Sequence, residues 1–246
     1  MNGGIPELSV VVPAFNERRN LAALAEEARL AFLEGGIAAE LILVDDGSTD
    51  GSSETLVELA ASRPWIRPLL LPRRTGQSAA LLAGIEAARG RFLATLDADL
   101  QNDPADLPWM LEILRRGEAD MVQGVRVVRR DSGLRRGASL LGRVALRVLL
   151  RSRFRDTGCA TRVFTAEVAR ALPLHFRGMH RFLPVYVHLS GARVLERPVS
   201  HRPRQQGETK YGLWDRLPGL VDCLAVRWMA RRYQRPGSRR PEGPGP

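Results

Sequence analysis

The sequence predicts an α/β domain on a mostly parallel sheet flanked by helices, and three observations carry that prediction. Short apolar runs rich in β-branched residues recur through residues 1–125, with helical periodicity between them. Within each run the apolar residues are consecutive rather than alternating, as in strands covered on both faces. Polar residues stand directly after three of the runs, at Asn16-Glu17, Asp45-Asp46 and Asp97-Ala98-Asp99. Ligands of parallel sheets gather at that end of the strands. The 246 residues suffice for one large domain with its own core.

Taken in order, Ser9-Val10-Val11-Val12 reads as the first strand, with Asn20 capping a helix that reaches Glu34. Residues 41–44 form the second strand, which runs into Asp45-Asp46-Gly47-Ser48 and a helix from about Ser53. Further strands are expected at 68–71, 92–96 and 121–125, and helices at 77–88 and 106–116. Beyond Arg126 the pattern changes. Residues 134–150 are amphipathic, with Arg136, Arg143, Arg147 and Arg151 along one helical face. A compact segment at 156–170 precedes a helix near 182–190 and a strand near 193–199. Leu213, Leu217, Leu220, Val221, Leu224 and Trp228 form a second amphipathic pattern. Residues 236–246 are rich in Pro, Gly and Arg and are expected to be a disordered tail.

The formal charge of +10 is unevenly shared. Residues 1–120 hold 11 basic and 19 acidic side chains, whereas residues 121–246 hold 26 and 8. A cation-binding front half is thus joined to an anion-seeking back half. Cys159 and Cys223 stand 64 residues apart, which excludes a cysteine zinc motif and fits a reducing compartment. His175, His180, His188 and His201 show no ligand spacing and read as packing or surface residues. No run of 18 apolar residues occurs, and the first seven residues lack the basic start of a signal peptide.

The acidic motifs carry the chemistry. Asp97 and Asp99 alternate at a strand end, so both can face one divalent cation while Ala98 turns away, and Gln101 can add an amide oxygen. Val12-Pro13-Ala14-Phe15-Asn16-Glu17, Val44-Asp45-Asp46-Gly47-Ser48-Thr49-Asp50-Gly51 and Asp97-Ala98-Asp99-Leu100-Gln101 follow strands in that order. Together they resemble the signature of family-2 glycosyltransferases, and the last resembles that of the polyprenyl-phosphate glycosyltransferases, the dolichyl-phosphate mannosyltransferase-like group. The resemblance implies a nucleotide-diphospho-sugar transferase (Rossmann-like) fold and a catalytic domain over residues 1–211. Residues 212–235 would then form an amphipathic helix at a membrane interface.

By that resemblance Pro13, Phe15 and Glu17 line the nucleotide pocket, Phe15 standing where a tyrosine is common. Val44 and Asp46 meet base and ribose, Ala98 belongs to the same donor site, and Asp97, Asp99 and Gln101 hold Mg²⁺ or Mn²⁺ against the diphosphate. Gly124-Val125-Arg126 resembles a Gly-x-Arg motif, which brings Arg126 to the nucleotide-sugar as well as the acceptor phosphate, and Arg135 with Ser139 matches a pair near that phosphate. Arg204-Gln205-Gln206-Gly207-Glu208-Thr209-Lys210 resembles a loop whose Arg204 and Lys210 close over the diphosphate. Asp99, Arg204 and Lys210 are therefore the expected catalytic set.

The implied reaction is inverting transfer of a hexose from a nucleotide-diphospho-sugar to a polyprenyl (dolichyl or undecaprenyl) phosphate. A phosphate monoester, with a second pKa of about 6, is anionic without a general base. A hydroxyl acceptor would need a base, and none is evident after Gln101. The expected placement is cytoplasmic, peripheral on the membrane surface. Two rivals are a soluble family-2 transferase acting on a sugar or small-molecule hydroxyl, and a basic nucleic-acid-binding protein. The second leaves three ordered acidic motifs unexplained.

Overall fold

The computed structural model describes residues 4–126, 154–203 and 218–232. Its first half alternates strand and helix: β1 (Leu8–Ala14), α1 (Arg18–Glu34), β2 (Ala39–Asp45), α2 (Ser52–Ser62), β3 (Ile66–Leu70), α3 (Gln77–Ala87) and β4 (Phe92–Thr95). A 3₁₀ turn (Pro104–Asp106), α4 (Leu107–Arg115) and β5 (Met121–Arg126) follow. The second half holds β6 (Arg162–Thr165), α5 (Ala166–Arg170), a 3₁₀ turn (Met179–Phe182), α6 (Leu183–Leu189), β7 (Val194–Val199) and α7 (Pro218–Arg232). The strands form one sheet in the order β3-β2-β1-β4-β6-β5-β7.

Consecutive burial along β1 and β2 follows from this order, because both strands carry a helical layer on each face. Val10, Val12, Leu41 and Leu43 pack with α1, α2 and α4 on one side. Val11, Ile42 and Val44 pack with α3, α6 and α7 on the other. The chain winds outward from β1 through β2 to β3, then crosses back to place β4 on the other side of β1. That reversal opens a crevice at the carboxyl ends of β1 and β4.

One local expectation is refined and one corrected. The 156–170 segment contains β6, which runs antiparallel to both β4 and β5. Asn20 lies inside α1 and does not cap it. Glu17 is the cap residue, its carbonyl accepting from the Asn20 amide (2.8 Å) and its carboxylate from Asn20 Nδ2 (2.6 Å).

The opposite pole of the sheet is held by a buried carboxylate. Glu40 is 5% exposed. It accepts from Ser9 Oγ (2.6 Å), Arg67 Nη1 (2.8 Å) and the Arg89 amide (2.9 Å). Burial alone would raise its pKa, but these donors outweigh it and hold the carboxyl below its usual value. A depressed folded-state pKa contributes stability that is present above the unfolded value of 4.5 and lost as pH falls through the folded one. Glu40→Gln is therefore expected to cost about 2 kcal/mol at pH 7, and thermal melts should show that gap closing below pH 4.5.

At the far end α7 docks through Cys223, Val226 and Met229, and Tyr186 of α6 donates its hydroxyl to the Met229 sulfur (3.4 Å). Leu224 and Trp228, two members of the apolar face expected there, are turned outward at 56% and 59% exposure. The amphipathic segment expected at 134–150 and the tail at 236–246 lie outside the described residues. Among the described residues no helix is long and apolar enough to cross a membrane.

Candidate active site

Two interlaced loops follow β1 and β2. The β1–α1 loop turns at Asn16, whose φ of 54° is unusual for a residue other than glycine. Its amide donates to Ser48 Oγ (2.8 Å), and its side-chain oxygen accepts from the Thr49 amide (2.9 Å). The Glu17 amide donates to Ser52 Oγ (3.1 Å) and the Arg18 amide to Asp50 Oδ2 (3.1 Å). Asp50 thus satisfies an open amide of α1 while also accepting from the Ser52 amide at the start of α2 (3.0 Å). Burial would raise its pKa, but the Ser52 hydroxyl and these amides hold it low. Asp45 accepts from the hydroxyls of Ser48 and Ser53 and so braces the same turn.

Asp46 holds a third loop. Its Oδ1 accepts from the Thr75 amide (2.6 Å) and hydroxyl (2.7 Å), and its Oδ2 accepts from the Gly76 amide (2.8 Å). The loop carries Arg74, whose guanidinium carbon lies 4.2 Å above the centre of the Phe15 ring. Gly47 makes this approach possible. Its φ is 68°, and a Cβ there would meet the Arg73 carbonyl carbon at 2.5 Å. Gly47→Ala is expected to lift the Arg73–Gly76 loop off Asp46 and weaken nucleoside-diphosphate binding at least about tenfold, equivalent to about 1.4 kcal/mol. Calorimetric titration checks this.

At the end of β4 the expected alternation appears. Ala98 packs into the core between the two carboxylates. Asp97 Oδ1 accepts from Gln77 Nε2 (2.9 Å), on the first residue of α3. Asp99 Oδ1 accepts from the Gln101 amide (3.3 Å), and Gln101 Nε2 donates to the Arg202 carbonyl (3.3 Å). Leu100 between them has a φ of 60°, a strained conformation for a bulky side chain. Asn102 joins this loop to β6, accepting from the Asp97 amide (3.4 Å) and donating to Thr161 Oγ1 (2.8 Å).

A basic side chain stands at the same end of the sheet, two strands from β4. Arg126, last in β5, donates through Nε (2.7 Å) and Nη2 (2.9 Å) to the two carboxylate oxygens of Asp156, and through its amide to Asp156 Oδ2 (3.3 Å). Burial alone would lower the Arg126 pKa, but the Asp156 carboxylate more than offsets that and raises it. Burial pushes the nearby Cys159 thiol up, away from the reactive thiolate. Burial also depresses His180 to about 3. It is a neutral ring whose Nδ1 lies 2.9 Å from Ser78 Oγ.

Pro13 near the end of β1, Phe15, Glu17, Asp46, Asp97, Asp99 and Gln101 on the loops after β1, β2 and β4, and Arg126 at the end of β5 therefore border one end of the sheet. The Val44 side chain is fully buried in the core, directly before Asp45 at the end of β2. Arg135, Ser139, Arg204 and Lys210 lie outside the described residues. Sequence reasoning missed Arg74, Thr75, Gln77, Asn102 and Arg162. Thr75-Gly76-Gln77 at the start of a helix was the one readable signal among them.

Hard oxygen ligands from Asp97, Asp99 and Gln101 fit Mg²⁺ or Mn²⁺, which commonly combine one or two carboxylates with phosphate oxygens. Among the described residues no three His, Cys, Asp or Glu side chains gather into a group that could hold a metal ion.

Residues 9–172 match the model of the glycosyl transferase family 2 domain. The chain belongs to glycosyl transferase family 2. The glycosyltransferase is 37% identical over 241 residues to the dodecaprenyl-phosphate galacturonate synthase of Rhizobium johnstonii, covering 94% of this chain and 69% of that protein. It is 38% identical over 224 residues to the undecaprenyl-phosphate 4-deoxy-4-formamido-L-arabinose transferase of Edwardsiella ictaluri, covering 89% and 68%. Its fold is that of glucosyl-3-phosphoglycerate synthase from Mycobacterium tuberculosis, crystallised with Mn²⁺, uridine diphosphate and phosphoglyceric acid. That match has a TM-score of 0.67 at 21% identity, over 92% of this chain and 78% of the other.

Proposed function

We propose that this glycosyltransferase moves a hexose, with inversion, from a nucleotide-diphospho-sugar to a polyprenyl phosphate. The observation that carries the reading is the placing of carboxylates after β4 (Asp97, Asp99) and a guanidinium at the end of β5 (Arg126) at the same end of the sheet, near enough for Asp97 to act on Arg126 through space. Two relatives named for transfer to, or synthesis on, polyprenyl phosphates support it.

In this reading Phe15, Asp46 and the Arg73–Gly76 loop receive the nucleoside, and Asp97, Asp99 and Gln101 hold a divalent cation. When bound, that ion would neutralise charge on the departing diphosphate. Asp156 fixes the plane of Arg126, which in this reading would serve the acceptor phosphate. Arg135 and Ser139 would receive the acceptor phosphate, and Arg204 and Lys210 would cover the diphosphate. A phosphate nucleophile brings its own negative charge, and the neutral, Ser78-bound His180 is not called on as a base.

Contact with a lipid acceptor requires a membrane-facing surface. Trp228 and Leu224 on α7 supply one, with the Arg232 guanidinium 5.0 Å from the Trp228 ring centre. An aromatic and a leucine flanked by arginine suit the headgroup boundary. Trp228→Ser is expected to release the protein from vesicles containing anionic lipid, and co-sedimentation measures this. Unchanged pelleting would reject the surface.

The deciding experiment incubates the protein with a panel of nucleotide-sugars, Mn²⁺ and short-chain polyprenyl phosphate, in parallel with free sugar acceptors. A lipid-linked product with inverted anomeric configuration supports the reading. Glycosides of free sugars alone would favour the hydroxyl-acceptor rival, and binding to RNA or duplex with a steep salt slope the nucleic-acid one.

A further inference from the structure

Beneath the crevice lies a charge that no step above uses. Arg162 opens β6 opposite Thr95 of β4 and Gln123 of β5, two residues before Asp97 on the one side and three before Arg126 on the other. It is 3% exposed. Its Nε donates to Gln123 Oε1 (2.9 Å) and its Nη2 to the Thr157 carbonyl (2.9 Å). Both partners are neutral. Gln123 is itself locked, its Nε2 donating to the carbonyls of Gly124 (3.0 Å), Asp156 (3.1 Å) and Cys159 (3.1 Å). Its oxygen is thereby aimed at Arg162.

Among the described residues no carboxylate pairs directly with this guanidinium. Burial lowers its pKa, while Asp97 and Asp156 pull the other way through space and Arg126 opposes them. A guanidinium nonetheless stays protonated inside a protein. A permanent charge held out of water by neutral partners is costly, and apolar substitution of such a group is often neutral or stabilising. Its place between β4 and β5 suggests what offsets the cost.

We propose that Arg162 is a fixed counter-charge for the two phosphate-bearing substrates where they meet. The inference rests on the phosphate-acceptor reading above. In the transfer step an acceptor phosphate oxygen forms a bond to the anomeric carbon, and the bond from that carbon to the diphosphate oxygen breaks. The electron pair leaves with the nucleoside diphosphate, and no proton moves. Two anions must therefore approach across a single carbon. Arg162 acts on them from within the buried sheet, where low polarity strengthens its field. Arg162 is a positioning residue acting through the field of the site and through Gln123.

The experiment compares wild type, Arg162→Met and Arg162→Lys for melting temperature, transfer to short-chain polyprenyl phosphate, and slow hydrolysis of the nucleotide-sugar by water. Arg162→Met should lose transfer about 100-fold while hydrolysis, whose nucleophile is neutral, falls at least tenfold less. Its melting temperature should match or exceed that of wild type. Arg162→Lys, which keeps the charge, should retain transfer within about tenfold of wild type. Equal loss of transfer and hydrolysis, or a fall in melting temperature of more than about 5 °C, would make Arg162 an anchor of the fold and overturn the proposal. Absence of lipid-linked product from wild type would instead sink the polyprenyl-phosphate reading, and with it the two-anion argument.

Discussion

Asp99→Asn is expected to lower transfer by about 10²–10³-fold while leaving the fold intact. The residue is buried at the end of β4, with Oδ1 held by the Gln101 amide. Asparagine preserves that oxygen and the side-chain shape but removes the negative charge. Loss of a carboxylate facing a divalent ion removes several kcal/mol of electrostatic stabilisation, and about 3–4 kcal/mol corresponds to the stated factor. Steady-state rates across an Mn²⁺ titration, with a melting curve beside them, measure both halves. Full activity at ordinary Mn²⁺ would remove Asp99 from the metal site.

Asp156→Ala should be the most damaging single change to stability around Arg126. Asp156 is 3% exposed, and its two oxygens accept all three of the bonds from Arg126. Truncation strands a half-buried guanidinium, and breaking a buried pair from one side costs about 3 kcal/mol or more. For a chain of this size that corresponds to a drop of roughly 6–12 °C in melting temperature. Calorimetry checks it, and a drop below about 2 °C would mean that water replaces the carboxylate at little cost. Asp156→Asn keeps the acceptor oxygen and should lose less than half as much. Both variants should also raise the KM for the acceptor, because Arg126 loses its fixed plane.

The parallel half of the fold was legible because its signal is local. Runs such as Leu41-Ile42-Leu43-Val44 need two covered faces, and helical periodicity supplies the cover. The expected strand ends fall within two residues of β1, β2 and β4. β6 was not legible. Four residues that begin with arginine carry no strand pattern, and their pairing with β4 joins residues about seventy positions apart. The acidic motifs announced the site, but not what each side chain does there. The hydrogen bonds of Asp46 to Thr75 and Gly76, and the fork of Arg126 on Asp156, join residues far apart in sequence and had no signal in the motifs. Arg162 resembled any of the other arginines, since nothing in a one-dimensional pattern tells a solvated guanidinium from one sealed under a sheet.

The antiparallel strand ties two distant parts of the chain at a single contact. Arg126 closes β5, Asp156 stands six residues before β6, and one ion pair fastens both places. Anything that draws the end of β5 away from the entry to β6 must break that buried pair, so the two are expected to shift together.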